Sequence, residues 1–320
     1  MARQESFDPG LTQKFEGRIR RTINKDGSFN VKKIGGRIRD IHPYLFLVSI
    51  PWAAFFAILF GAFFLVNLGF AGLYYVAGPA ALKGGDISSP LAYFESAFFF
   101  SAQTLTTVGY GTLSPAGLFA NSVAAIEAMM GLLGFAVATG LLVGRVSQPS
   151  ARIAYSDKCL ITPYEEITSL QFRVANQRRN NVMELHATVI LMLVDECSNG
   201  LRRDYFVLPL VRSGVFFFPV TWTIVHAIDK DSPLFGKTAQ DLERLQAEVL
   251  ILIKGFDETF GQEVLSRYSY TYDEIVWGGS FAQAFHVDSE GHLVLNVDRV
   301  GTLKDDGATN VTRLGAGAEL

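Results

Sequence analysis

Along residues 51–76 and again along 118–146, apolar side chains run on without the polar stripe that a surface helix carries. The first run has no ionisable residue, and Asn67 is its main polar interruption; the second is interrupted by Glu127 before Arg145 ends it. A helix over the 26 residues of the first run is about 39 Å long, against roughly 30 Å of bilayer hydrocarbon. The pattern predicts two tilted membrane-spanning helices. Between them, residues 77–117 are too many for a turn and too apolar for an ordinary outside loop. Ser88-Ser89-Pro90 reads as a helix start, a serine cap with proline in the first helical position. A helix from there to residue 104 (LAYFESAFFFSAQT after Pro90) is only about 20 Å long and reaches partway across. Irregular backbone at that depth is tolerated only where protein or a water-filled path surrounds it.

Residues 1–39 are polar and basic, with scattered glycines, and read as an irregular arm with one short strand at 28–32 after the Asp26-Gly27 turn. Residues 40–50 (DIHPYLFLVSI) crowd apolar surface onto a piece too short to span, with Asp40 as a cap and Pro51 as a break. They predict an interfacial helix; the alternative is an inward extension of the first span. From 147 onwards the alternation becomes strand-like, over 168–174, 182–195, 204–211, 248–253, 263–272 and 292–297, with one short helix at 238–247. Short strands at this spacing predict a β-sandwich over 148–304, followed by a loose tail at 305–320. The chain has no internal repeat, so one pore segment cannot enclose a path by itself. Rotational assembly must complete the path, most simply as a ring of four copies.

Composition sharpens this picture. Only 18% of residues are charged and 49% are hydrophobic, below the charge usual for a chain that faces water throughout. A net charge of −3 gives no support for nucleic-acid binding. Ten lysines and arginines fall in residues 1–50, whereas 51–144 holds one, Lys83, which places the basic flank on the cytoplasmic side. The first long apolar run begins only after residue 43, so no signal peptide is expected and the N-terminus should stay in the cytoplasm. Cys159 and Cys197 lack metal spacing and are expected to be free buried thiols.

The chemistry concentrates at residues 106–111, Thr-Thr-Val-Gly-Tyr-Gly. Stripping water from potassium requires replacement oxygens, and stacked rings of backbone carbonyls supply them. Thr107-Val108-Gly109-Tyr110-Gly111 suits that geometry, because glycine permits the backbone angles that turn successive carbonyls inward. Thr107 can add a hydroxyl oxygen, and Val108 and Tyr110 can brace the ring from outside. The C-terminal end of the half-helix would favour a cation in the cavity below. Gly131 and Gly134 are candidate hinges of the second span, with close helix packing as the equal alternative. Glu127, the one ionisable group inside that span, is a functional candidate, either hydrogen-bonded to the half-helix or facing the cavity.

With this filter, the chain resembles the inward-rectifier potassium channel family, particularly its prokaryotic members. Other matching positions are Asp26-Gly27 with Phe29-Asn30, Ser49, Pro51, Gly140 and Pro149. In the second half they are Arg173-Val174-Ala175-Asn176, Thr223-Ile224-Val225-His226, Asp231-Ser232-Pro233-Leu234 and Asp273-Glu274-Ile275-Val276-Trp277-Gly278. The resemblance runs from about residue 20 to 290. It implies a homotetramer with potassium ions in the filter and no enzymatic cofactor. It also implies a slide helix at 40–50, a pore domain at 51–147, an immunoglobulin-like cytoplasmic domain, and both termini inside a bacterial inner membrane. Phe135, Val143 and Val146 fall where the family's inner helices converge and would form the gate. Arg145, Arg152, Arg178 and Arg179 match part of its anionic-lipid site. Glu184, Lys254, Gly255 and Glu258 fall on the lining of its cytoplasmic pore. Lys254 stands where an acidic residue would be, and Phe135 where strong rectifiers place an aspartate, so classical rectification should be weak. The acid–base pair that eukaryotic members set around the filter is replaced by Gln103 and Leu113, which leaves the bracing of the filter open.

Three other readings compete. A ligand-binding regulatory domain of the Rossmann type would need a G-x-G-x-x-G turn, and residues 150–320 have none. An enzyme on a membrane anchor would need a histidine or nucleophile motif, and His42, His186, His226, His286 and His292 form none, so no enzyme is expected. His226 reads as a packed core histidine. An adhesion module would account for the strands but not for the half-helix and filter.

Overall fold

Prolines punctuate the start of the membrane part. In the computed structural model, which describes residues 8–11, 14–15, 21–32, 34–35, 42–148, 151–197 and 200–304, the chain forms two compact units. One is Ile34–Gln148; the other combines the N-terminal arm with everything after residue 148. The arm contributes a two-residue strand, β1 (Lys14–Phe15). Pro43 then opens α1 (Pro43–Ser49), where its missing N–H costs nothing. His42 occupies the cap position without a side-chain bond; Asp40, the expected cap, lies outside the described residues. Ile50 and Pro51 are extended, so α1 is a separate helix and not an inward extension of α2 (Trp52–Ala77).

Gly78 (φ 87°) ends α2, and a 3₁₀ turn leads to β2 (Leu82–Lys83). Ser89 Oγ accepts the Ala92 N–H at 3.1 Å and caps α3 (Pro90–Leu105). β3 (Ser114–Pro115) pairs with β2, tying the loop after α3 to the loop before it, and α4 (Gly117–Val146) follows. α3 packs between α2 and α4 around Tyr74, Ala97, Phe100 and Val123. Only 11% of the apolar stretch of each long helix is buried within the chain, whereas the core helix of a soluble domain would be covered. Such surface calls for lipid or further copies of the chain as its environment.

The second unit is a β-sandwich. Its strands are β4 (Ile153–Tyr155), β5 (Cys159–Tyr164), β6 (Ile167–Asn176), β7 (Val182–Cys197), β8 (Gly200–Leu208), β9 (Gly214–Phe217), β10 (Thr221–Ile228), β11 (Glu248–Asp257), β12 (Gln262–Thr271) and β13 (Ile275–Trp277). A hairpin of β14 (Phe285–Val287) and β15 (Leu293–Leu295) follows. One sheet has the order β1-β8-β7-β11-β12, with β9 also on β7; the other has β10-β6-β5-β13, with β4 on β6. Alternate residues of β7 (Leu185, Val189, Leu191), β6 (Leu170, Phe172, Val174) and β11 (Val249, Ile251, Ile253) fill the space between the sheets. The free Cys159 lies in that core; the side chain of Cys197 is outside the described part. α5 (Ala239–Arg244) is held by a capping box between Thr238 and Asp241.

Two expectations change. No strand forms at 28–32; Asp26-Gly27 makes the turn, and a single bridge joins Ile23 to Phe29. The alternation does not mark β4, β5, β9, β10, β13 or β14 as strands. Four consecutive β5 residues, Cys159 to Thr162, are buried, so the alternation that marks a half-exposed strand is missing. The arm is fastened to its own unit: Glu248 accepts the Thr22 N–H on both oxygens at 2.9 Å. Glu274 pairs with Arg21 (2.5 Å) and Lys25 (2.9 Å).

Candidate functional site

The end of α3 positions residues 106–111. Thr107 N–H donates to Thr104 O (3.0 Å), and Val108 and Gly109 N–H both donate to Gln103 O (2.9 and 3.3 Å). Tyr110 N–H donates to the side chain of the same residue, Gln103 Oε1, at 3.1 Å. Four successive N–H groups therefore turn towards α3, and the carbonyls of the segment are free of helical pairing. Gly109 and Gly111 have φ of 54° and 84°, as an inward-turning backbone requires, and Thr107 adopts φ 58° without being glycine. Thr107 Oγ1 donates to Thr106 O at 2.7 Å. Val108 (53%) and Tyr110 (79%) are exposed on a single chain.

Gln103, at the position the resemblance marks for one half of an ion pair, thus accepts from three successive N–H groups, two on its carbonyl and one on its side-chain oxygen. A second close approach carries no signal in the sequence: a Cβ on Gly84 (φ 82°) would come within 2.1 Å of Thr112 O, just past residues 106–111.

The two candidate hinges separate. A Cβ on Gly131 would lie 2.0 Å from Leu105 O, so this glycine lets α4 pack against the end of α3 and is not a free hinge; Gly134 has nothing within 4 Å. Phe135, Val143 and Val146 are all exposed on α4 and fall within an arc of roughly 80°. Glu127 is fully buried and accepts from Tyr74 Oη of α2 (2.7 Å) and contacts Ser101 Oγ of α3, which places it behind the half-helix and not in a cavity.

Arg145 departs from its expected role. Its guanidinium donates to Leu47 O (2.5 Å), Val48 O (3.0 Å) and Ile50 O (2.6 Å), capping the C-terminal end of α1, and stacks against Trp52 and Phe55. Little of it is left for a headgroup. Gly144 leaves room for the Tyr44 side chain of α1, which a Cβ there would meet at Oη, 2.6 Å away, and displace. In the other unit, the pairing of Ile153 with Asn176 brings exposed Arg152 beside Arg178 and exposed Arg179.

Glu184, Lys254, Gly255 and Glu258 also converge. β7 places two residues, Glu184 and Leu185, opposite Gly255, a bulge in which Glu184 takes φ 51°. Gly255 is needed for that approach, because a Cβ would sit 2.9 Å from Val182 Cγ1. Lys254 is 3.4 Å from Glu263, an exposed pair that tempers its charge. Glu258 accepts from Asn181 Nδ2 at 3.1 Å. His226 is a buried core residue, bonded to Pro209 O (2.7 Å) and Ser232 Oγ (2.8 Å). Burial lowers its pKa, partly offset by the Pro209 carbonyl and Asp229. Among the described residues, no cluster of histidine, cysteine and carboxylate side chains could hold a metal ion.

Comparison with known proteins agrees with this geometry. Residues 53–148 match the family described as "Ion channel", and residues 153–310 the "Inward rectifier potassium channel C-terminal domain". The inward rectifier potassium channel Kirbac3.1 of Paramagnetospirillum magnetotacticum is 35% identical over 283 residues, 87% of this chain and 94% of that protein. The ATP-sensitive inward rectifier potassium channel 12 of Gallus gallus is 27% identical over 292 residues, covering 82% of this chain and 66% of the relative. The inward rectifier potassium channel irk-1 of Caenorhabditis elegans is 27% identical over 290 residues, 82% of this chain and 52% of its own length. A two-span pore with a half-helix, a β-sandwich and near full-length similarity to a bacterial channel together make this chain a membrane protein of the inward rectifier potassium channel family.

Proposed function

We propose that four copies of the chain surround one axis and conduct potassium passively through stacked rings of carbonyls from Thr106, Thr107, Val108, Gly109 and Tyr110, with Gly111 turning the chain away. The observation that carries this is the set of four consecutive N–H groups, Thr107 to Tyr110, all committed to α3. The carbonyls between them are left to replace the hydration shell of a dehydrated potassium ion. Val108 and Tyr110, exposed on one chain, pack against neighbouring copies and hold the ring diameter.

Phe135, Val143 and Val146 from four α4 helices form apolar constrictions that close the path by dewetting. Gly134, unobstructed, is the bending point. α1, with Tyr44, Leu45 and Phe46 exposed, lies along the inner face of a bacterial inner membrane, and both termini are cytoplasmic. Arg152, Arg178 and Arg179 attract anionic headgroups, each contributing about 1 kcal/mol near an anionic leaflet. Glu184, Lys254, Gly255 and Glu258 line the cytoplasmic extension of the path, where lysines leave little to bind blocking cations.

Rubidium uptake into liposomes containing the full-length protein, with sodium competition and barium block, tests this. Barium-sensitive uptake that sodium does not compete away is expected. Absence of flux under every lipid composition would remove the conduction claim.

A further inference from the structure

Four polar side chains lie buried among the apolar helices of the pore unit: Asn67 and Tyr74 on α2, Ser101 on α3 and Glu127 on α4, each 0% exposed. Tyr74 Oη donates to Glu127 Oε2 at 2.7 Å. Ser101 Oγ lies 3.0 Å from Asn67 Oδ1 and in close contact with Glu127 Oε1. Asn67 Nδ2 donates to Phe63 O at 2.8 Å.

The protons in this cluster can be counted. A hydroxyl has one proton, so Ser101 can donate to Asn67 or to Glu127 but not to both. Exchanging the ends of the Asn67 amide does not help, because its oxygen would then face Phe63 O. With Glu127 ionised, one of the two Ser101 contacts sets bare acceptors against each other, at the cost of an unsatisfied buried group. With Glu127 as the neutral acid every contact closes: Glu127 donates to Ser101, Ser101 to Asn67, Asn67 to Phe63 O, and Tyr74 to the second carboxyl oxygen. Arg145, the cation of the same helix, is engaged with α1 about 27 Å farther along. A lone carboxylate at this depth would go uncompensated.

The cluster also reaches the filter. Ser101 precedes Gln103 by two residues, and Gln103 receives three of the filter N–H groups. Whatever fixes the rotation and height of α3 at Ser101 fixes Gln103, and through it the carbonyl rings.

We propose that Glu127 is a positioning residue of the selectivity filter that works as a neutral acid, its own proton closing a hydrogen-bond chain across α2, α3 and α4. This rests on the filter assignment above. A glutamine is the neutral isostere: its amide N–H replaces the acid proton towards Ser101, and its oxygen still accepts from Tyr74. An alanine breaks the chain at both ends.

The test is barium-sensitive rubidium uptake with sodium competition, on full-length protein assembled in liposomes, together with infrared spectra of the same samples. Glu127→Ala is expected to lower rubidium-over-sodium discrimination by about tenfold or more, equivalent to about 1.4 kcal/mol. Glu127→Gln is expected to restore discrimination to within about twofold of the parent. Ser101→Ala, which leaves Glu127 and Tyr74 paired, should shift discrimination in the same direction as Glu127→Ala. The parent spectrum should contain a carboxylic-acid C=O band that Glu127→Gln removes. If Glu127→Ala does not assemble, the Ser101→Ala and Glu127→Gln results decide. The proposal falls if Glu127→Gln is as defective as Glu127→Ala, if Ser101→Ala matches the parent, or if no acid band disappears in Glu127→Gln. A parent without selective flux would instead remove the filter assignment, and the acid band would still report the proton.

Discussion

Gly131 and Gly134 sit three residues apart on α4 and meet different surroundings, so the same substitution should act differently at each. Gly131→Ala drives a methyl into Leu105 O and must push α3 aside, an overpacking cost of about 1–3 kcal/mol. Lower stability of the proposed tetramer in detergent, read by thermal melting on a sizing column, is the expected outcome. Gly134→Ala meets no obstacle and stiffens the helix by about 1 kcal/mol. It should leave assembly unchanged and alter open probability in single-channel records. At Gln103, replacement by leucine removes the acceptor of Tyr110 N–H, a loss of about 1–3 kcal/mol within the segment proposed as the filter. Potassium-over-sodium permeability ratios should fall. His226 gives a pH dependence whose sign follows from its lowered pKa. As pH falls below the ordinary histidine value of about 6.5, the unfolded chain takes up the proton first. The stability His226 contributes is complete above that pH and is lost as pH drops towards the folded-state value. Thermal melting of the full chain at about pH 8 and about pH 5.5 should report the loss, with a shallower dependence in His226→Gln. None of these contrasts is legible from residue type alone, because two glycines spell the same letter whatever lies beside them.

At the scale of elements, the long helices and the half-helix were legible because their signals are local: bilayer length, a Ser-Pro start, and glycines where the backbone must turn. β5 and β10 were not, since burial within a sheet erases the alternation that marks a strand. Arg145 illustrates the same limit. A basic residue at the end of a span reads as a headgroup ligand, yet both terminal nitrogens of its guanidinium donate to the last carbonyls of α1. Arg145→Ala should therefore free α1, at a cost of about 1.5–3 kcal/mol for charged hydrogen bonds of this type. Faster proteolysis within residues 43–51, with lipid dependence of flux retained through Arg152, Arg178 and Arg179, is the outcome expected. Loss of anionic-lipid dependence with α1 still protected would reverse the assignment.

At the scale of the whole molecule, the chain's own surface argues for assembly, because its apolar spans and the filter side chains Val108 and Tyr110 are exposed on one copy. Rectification belongs to this scale too, since in the proposed ring of four a blocking cation would meet four copies of each proposed lining residue at once. Lys254→Glu should create a binding site for magnesium or polyamines and introduce voltage-dependent block, measured in planar bilayers with the blocker on the cytoplasmic side. A parent that is already strongly blocked would contradict the present assignment. By itself, the sequence determined the family, the two spans and the β-rich second half, because each is written in contiguous residues whose chemistry does not depend on distant neighbours. The tertiary structure alone decided that Gly131 is a contact and Gly134 is open, that Gln103 braces Tyr110, and that Arg145 serves α1. It also decided that Glu127 joins three helices. Each of these depends on atoms brought within a few ångströms from remote positions in the chain, and spacing along one helix cannot encode what the next helix places against it.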